Sequence, residues 1–65
     1  MTRYYVYTPC DGNEDGLMDG YTLDDAKVLA IKTFNTLVEL GEPDTRVYVM
    51  ELGSGNHVWG LGEPV

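Results

Sequence analysis

The sequence has one cysteine, Cys10, and one histidine, His57, among its 65 residues. These are residue types that enzymes use as nucleophile and base. A thiol and an imidazole form a catalytic pair when a third group orients the base. No such group is apparent, and a chain this short offers little concave volume for a substrate. The sequence also lacks a phosphate-binding glycine loop, a CxxC pair and an HExxH motif. We therefore expect no enzyme activity and no catalytic residue, with Cys10 packed as a small hydrophobe and His57 at the surface.

The segment DGNEDGLMDGYT, residues 11–22, has side-chain oxygens at positions like those of a calcium-binding EF-hand loop. Such a loop has ligands at positions one, three, five, seven, nine and twelve, and glycine at position six. Gly16 stands at position six, and positions one, three, five and nine hold Asp11, Asn13, Asp15 and Asp19. Position twelve, however, holds Thr22 in place of a bidentate Glu, which removes two ligand atoms. The segment therefore predicts weak calcium binding or none, with an ordinary acidic turn as the alternative.

Acidic side chains dominate the charge of the chain, with eleven Asp and Glu against four Lys and Arg, and a formal net charge of −7. Six of the acids crowd one short segment: Asp11, Glu14, Asp15, Asp19, Asp24 and Asp25. This excess argues against direct binding to nucleic acid or to an anionic membrane, and it favours a partner with a basic surface. The alternative is a solvated loop that only keeps a small protein soluble.

A helix is predicted from about Leu23 to Leu40. Thr22 is a favourable N-cap with Asp25 three residues later, and Gly41 is a favourable C-cap. At 100° per residue, the helix has one apolar face, made of Ala26, Ala30, Thr33, Phe34, Leu37 and Leu40, with Ile31 and Val38 on its flank.

Three strands are predicted around this helix. Tyr, Val and Thr favour strands, and runs rich in apolar and β-branched residues span 2–8, 45–52 and 57–61. The last two runs flank a turn at residues 53–56 and should form a hairpin. Residues 62–65 are predicted to be a frayed tail. The order strand–helix–strand–strand predicts a two-layer α+β fold, in which one helix packs on a three-stranded sheet.

Alternation along the strands predicts which side chains face the helix and which face the open side of the sheet. Under the helix we place Tyr4, Val6, Val47, Val49 and Val58. On the open face we place Tyr5, Tyr7, Tyr48, Met50 and Trp59, with Arg3 and Arg46 at its edge. Tyr, Trp, Met and Arg are enriched at protein interfaces, so this face is predicted to bind a partner or a second copy in a homodimer. The alternative is that the rings only cover the sheet while their hydroxyls stay in water.

The chain is predicted to be a single domain over residues 1–65, with a core of marginal size. No apolar run near its start is long enough for a signal peptide, and none approaches the roughly 20 residues of a membrane span. One cysteine cannot form an internal disulfide and fits a reducing compartment. We therefore expect a cytoplasmic protein that has no membrane contact and no bound cofactor.

The predicted helix opens with TLDDA, residues 22–26, in a chain that is short, acidic and ordered strand–helix–strand–strand. In this layout residues 2–61 resemble the small proteins that bacteriophages use against their hosts, such as anti-CRISPR proteins and inhibitors of host RNA polymerase. The resemblance implies a protein that binds and blocks a host complex in the host cytoplasm.

These observations favour an interaction protein that acts stoichiometrically. Its six crowded acids are the expected contact for a basic surface, such as a nucleic-acid channel that they would occupy in place of phosphates. Two interpretations from other classes stay open. One is a weak calcium-binding module built on the degenerate loop, and the other is a structural subunit that associates with itself.

Overall fold

A computed structural model describes residues 2–9, 12–42 and 45–62 of the chain. Its elements in chain order are β1 (Tyr4–Thr8), β2 (Asn13–Asp15), α1 (Leu23–Glu39), β3 (Val47–Glu51) and β4 (His57–Leu61). The strands form one antiparallel sheet in the order β2-β1-β3-β4, and α1 packs on one face of it. The α+β fold and the C-terminal hairpin are confirmed. The sheet has four strands, however, because residues 13–15, predicted to be part of a turn, pair with β1.

The helix begins and ends as its capping residues predict. The Thr22 hydroxyl accepts a hydrogen bond from the Asp25 backbone N–H at 3.2 Å, which satisfies one of the free donors of the first turn. At the other end, Gly41 has a φ of +78°. The N–H groups of Gly41 and Glu42 donate to the carbonyls of Val38 and Leu37, the double hydrogen bond that closes many helices on a glycine.

The core lies between α1 and the three strands that it contacts, β1, β3 and β4. Its buried apolar residues are Val6, Ala26, Ala30, Leu37, Val47 and Val49. The small side chains of Ala26 and Ala30, both fully buried, let the helix backbone approach the sheet closely. Leu40 was predicted on the buried face but is 71% exposed, because it caps the helix beyond its last turn. Within the described residues, no helix is long and apolar enough to cross a membrane.

A β-bulge in the hairpin reverses the predicted sides of Val58 and Trp59. Met50 pairs with His57, but the preceding residue Val49 pairs with Trp59, so Val58 is the extra residue. One additional residue moves every later side chain to the other face of the sheet. Trp59 therefore packs against the core under the helix, whereas Val58 is 45% exposed. The prediction that Trp59 lies on the open face was wrong.

Candidate functional site

Residues 13–21 form one edge of the sheet. Strand β2 pairs with residues 6–8 of β1, and the chain then turns back so that Tyr21 pairs with Tyr4 at the other end of that strand. The backbones of Tyr4 and Tyr21 exchange two hydrogen bonds, of 2.9 and 2.8 Å. We use the term acidic edge for the five described carboxylates along this border and at the helix start, which are Glu14, Asp15, Asp19, Asp24 and Asp25.

All five carboxylates of the acidic edge are exposed. The helix contacts β1, β3 and β4 but not β2, so the strand that carries Glu14 and Asp15 lies outside its cover. Asp24 and Asp25 stand in the first turn of α1, where the helix dipole stabilises negative charge. Asp11, the sixth acid of the predicted contact, lies outside the described residues, as does Cys10.

Tyr21 fastens the acidic edge to the rest of the domain. Its ring packs against the core, and its hydroxyl donates a hydrogen bond of 3.1 Å to Oδ1 of Asp15. This hydrogen bond, with smaller contributions from desolvation and from the negative charge of Asp15, raises the pKa of Tyr21. The ring lies directly over Gly16, where a β-carbon would collide with it. Glycine is therefore required at the turn that follows β2.

A shallow hollow of about 350 Å³ lies in the turn after β2, lined by Glu14 and by residues 16–21. Two of the lining side chains are apolar and exposed to solvent: Leu17 is 46% exposed and Met18 is 95% exposed. Charged side chains flank them, because Glu14 and Asp19 line the same hollow. Sequence reasoning counted the acids here but missed this apolar tip. Its signal was the LM pair set between glycines in an otherwise polar segment.

The open face of the sheet lies next to the acidic edge. Cross-strand pairing places Tyr5 beside Met50 and Tyr7 beside Tyr48, so the four side chains share one face of the sheet as predicted, and all four are half-buried. Glu14 pairs with Tyr7, so the register sets one carboxylate at the border of this face.

His57 replaces Trp59 as the β4 residue that borders the open face. It pairs with Met50, and its ring meets that of Tyr48 edge to face, with the centroids 5.0 Å apart. Aromatic pairs favour this arrangement. The sequence prediction placed His57 at the surface but did not connect it with the tyrosines, although alternation with the predicted open-face position of Trp59 puts His57 on the same side.

The described residues of the predicted calcium loop begin with a strand and not with a ligand loop. Asn13 and Asp15 belong to a strand and both lie across from β1 residues of the helix-facing side. Asp15 instead accepts the hydrogen bond from Tyr21. In the part of the chain that the structure describes, no group of three or more His, Cys, Asp or Glu side chains could hold a metal ion. The first ligand of the proposed loop, Asp11, lies outside that part.

Comparison of the chain with protein-family models, with curated proteins and with solved structures gives no match.

Proposed function

We propose that this protein is a small interaction module that binds a basic protein surface through its acidic edge and blocks that surface stoichiometrically. The observation that carries this proposal is the set of exposed carboxylates on β2, in the turn after it and in the first turn of α1. Like charges this close repel one another and destabilise the compact state. The helix dipole offsets that repulsion at Asp24 and Asp25, but it does not reach Glu14, Asp15 or Asp19. Asp15 accepts the hydrogen bond from Tyr21, but folding alone gives no reason for Glu14 or Asp19.

Two features next to the carboxylates, an apolar tip and the open face, offer apolar contacts to the partner. Met18 and Leu17 expose apolar surface between the carboxylates, and Met is a flexible side chain that adapts to irregular partner surfaces. On the other side, Glu14 borders Tyr7 and the rest of the open face. Carboxylates accelerate the encounter with a basic partner, whereas buried aromatic and Met anchors slow dissociation.

The partner that fits best is a nucleic-acid-binding complex, because its basic groove binds a row of phosphates that a row of carboxylates can replace. A CRISPR effector or an RNA polymerase of a host cell has such a groove, and the resemblance of the chain to small phage proteins favours this class. The protein would then act in the host cytoplasm. It would exclude nucleic acid from the groove without binding nucleic acid itself.

A pair of matched variants tests this proposal. Glu14→Gln with Asp19→Asn, the edge variant, removes two charges from the acidic edge and spares Asp15, which holds Tyr21. Glu39→Gln with Glu42→Gln, the helix-end variant, removes two exposed charges from the opposite end of α1. The wild type and both variants are immobilised, and the proteins that each captures from a bacterial lysate are quantified by mass spectrometry at about 50 and 300 mM salt.

We expect the wild type and the helix-end variant to enrich the same basic, nucleic-acid-binding proteins at low salt and to lose them at high salt. The edge variant should capture about tenfold less of them, because it lacks the charges that steer and hold the partner. Equal capture by the edge variant and the wild type at both salt concentrations would contradict the proposal.

A further inference from the structure

Met18 is the most exposed large apolar side chain of the described residues, with 95% of its surface accessible to solvent. It stands in the turn after β2, and it belongs neither to the core nor to the side chains that pack against the core. The susceptibility of a sulfur-containing side chain to oxidation follows its exposure. The thioether of Met18 is therefore open to oxidants that arrive from the solvent.

Met50, the other methionine that the structure describes, has different surroundings. It is half-buried in β3, and its cross-strand neighbours on the open face are Tyr5 of β1 and His57 of β4. Rings on both sides limit the approach of an oxidant to its sulfur. The third methionine of the chain, Met1, lies outside the described residues. The fold thus leaves one described methionine open and shields the other.

We propose that Met18 is a modification site, at which a peroxide converts the thioether to methionine sulfoxide and thereby inactivates the apolar tip formed by Leu17 and Met18. One oxygen atom passes from hydrogen peroxide to the sulfur as the O–O bond breaks. The sulfur is oxidised by two electrons, and the peroxide is reduced to water. Hydrogen peroxide is uncharged, so the carboxylates of Glu14 and Asp19, which line the same hollow, do not repel it. Methionine sulfoxide reductases reverse the step.

Oxidation at this position changes what the tip can bind and leaves the packing of the domain intact. A sulfoxide is polar, so the tip loses the flexible apolar contact that Met18 offers beside the carboxylates. The core loses nothing, because Met18 takes no part in it. The loss of partner binding rests on the proposed function, since it concerns the same edge of the sheet, whereas the selective oxidation of Met18 does not.

The oxidation rate of each methionine tests the site without any partner. The native protein is treated with dilute hydrogen peroxide, and peptide mapping by mass spectrometry follows each methionine over time. We expect Met18 to oxidise at least about fivefold faster than Met50 in the native protein, and at the same rate in urea, where the fold no longer shields Met50. The Tm of the oxidised protein should stay within about 3 °C of the untreated value. Equal rates in the native protein, or faster oxidation of Met50, would overturn the proposal.

Two variants test the consequence for binding. Met18→Leu keeps an apolar side chain of similar size but has no sulfur, whereas Met18→Gln places a polar side chain where the sulfoxide would be. Capture of basic, nucleic-acid-binding proteins from a bacterial lysate at about 50 mM salt is compared before and after peroxide treatment. Oxidised wild type and untreated Met18→Gln should capture about fivefold less than untreated wild type. Treated Met18→Leu should capture as much as before treatment.

The Met18→Leu control separates Met18 from the other oxidisable side chains, because Cys10 and Met50 are present in every protein compared. An equal loss in treated Met18→Leu, or unchanged capture by oxidised wild type, would overturn the inactivation of the tip. A wild type that captures no basic protein before treatment would contradict the proposed function, and the two oxidation rates then decide the site at Met18 by themselves.

Discussion

The two outer strands of the sheet differ in charge, in length and in their attachment to the core. Strand β2 has three exposed residues, pairs only with β1 and does not touch the helix. Strand β4 has five residues, contacts α1 and contributes Trp59 to the packing around the core. The ammonium group of Lys27 on α1 lies 5.7 Å from the centre of the Trp59 ring. The packing that stabilises the fold thus includes β4 but not β2, so charged residues on β2 do not disturb the core.

The largest effect is expected at Trp59. Trp59→Ala removes a large side chain that packs against the core and meets Lys27, so it should lower the free energy of unfolding by about 2–3 kcal/mol. Urea unfolding followed by circular dichroism measures the loss, since the variant lacks the single tryptophan as a fluorescent probe. The matched control is Val58→Ala on the same strand, with an expected loss of at most about 0.5 kcal/mol. Equal losses at both positions would contradict the assignment of Trp59 to the helix side.

A smaller effect is expected at Gly16 on the acidic edge. Gly16 and Gly53 have nearly the same backbone angle, with φ values of +98° and +100°. Alanine at either position strains the backbone by about 1–2 kcal/mol. At Gly16, however, it also collides with the Tyr21 ring, whereas nothing lies within 4 Å of the new methyl group at Gly53.

Gly16→Ala should therefore cost more stability than Gly53→Ala. It should also accelerate hydrogen exchange at residues 13–21 more than at β3 and β4, because the acidic edge opens while the core stays closed. Uniform acceleration across all four strands would show that the acidic edge and the core unfold as one unit.

Alkaline pH should loosen the acidic edge through Tyr21. The pKa of Tyr21 is raised in the folded state, so its stabilising contribution is complete below the ordinary tyrosine value of about 10 and is lost as the pH rises through the higher folded value. The stability of the wild type should therefore fall more steeply above pH 10 than that of Tyr21→Phe, which has no proton to lose. Parallel stability curves for the two proteins between about pH 9 and 12 would argue against the hydrogen bond to Asp15.

The smallest effect is expected for the edge variant, Glu14→Gln with Asp19→Asn. Both side chains are exposed, so the Tm should stay the same or rise slightly as repulsion is relieved, within about 0.5 kcal/mol in free energy. Thermal unfolding beside the helix-end variant measures this. A clear loss of stability in the edge variant alone would mean that these acids serve the fold rather than a partner.

The helix and the strands of the core follow from local signals in the sequence. Thr22 and Gly41 mark the ends of α1 through hydrogen bonds that depend only on nearby residues. Strand β2 could not be predicted in this way, since Asn, Glu and Asp are poor strand formers and show no apolar alternation. It forms because the chain turns back along β1, and this pairing is a tertiary contact.

The sides of the sheet could be predicted only as far as regular alternation holds. It holds along β1 and β3, so Tyr5, Tyr7, Tyr48 and Met50 were placed correctly on the open face. It fails at the bulge opposite Val49 and Met50. No residue of the HVWGL strand indicates that bulge in the sequence. The six acids were visible as a cluster in the sequence, but the position of Glu14, Asp15 and Asp19 at one sheet border depends on β2 and on the pairing of Tyr21 with Tyr4.

The most direct test of the acidic edge is a nuclear magnetic resonance titration of the isotope-labelled protein with a short oligoarginine peptide, at low and at physiological salt. The peptide presents a row of positive charges and is independent of the identity of the natural partner. We predict that the backbone signals of residues 13–25 shift first and most, and that the shifts shrink as salt screens the charges. Shifts centred on Glu39 and Glu42, or spread evenly over every exposed acid, would contradict the claim that the acidic edge is the binding surface.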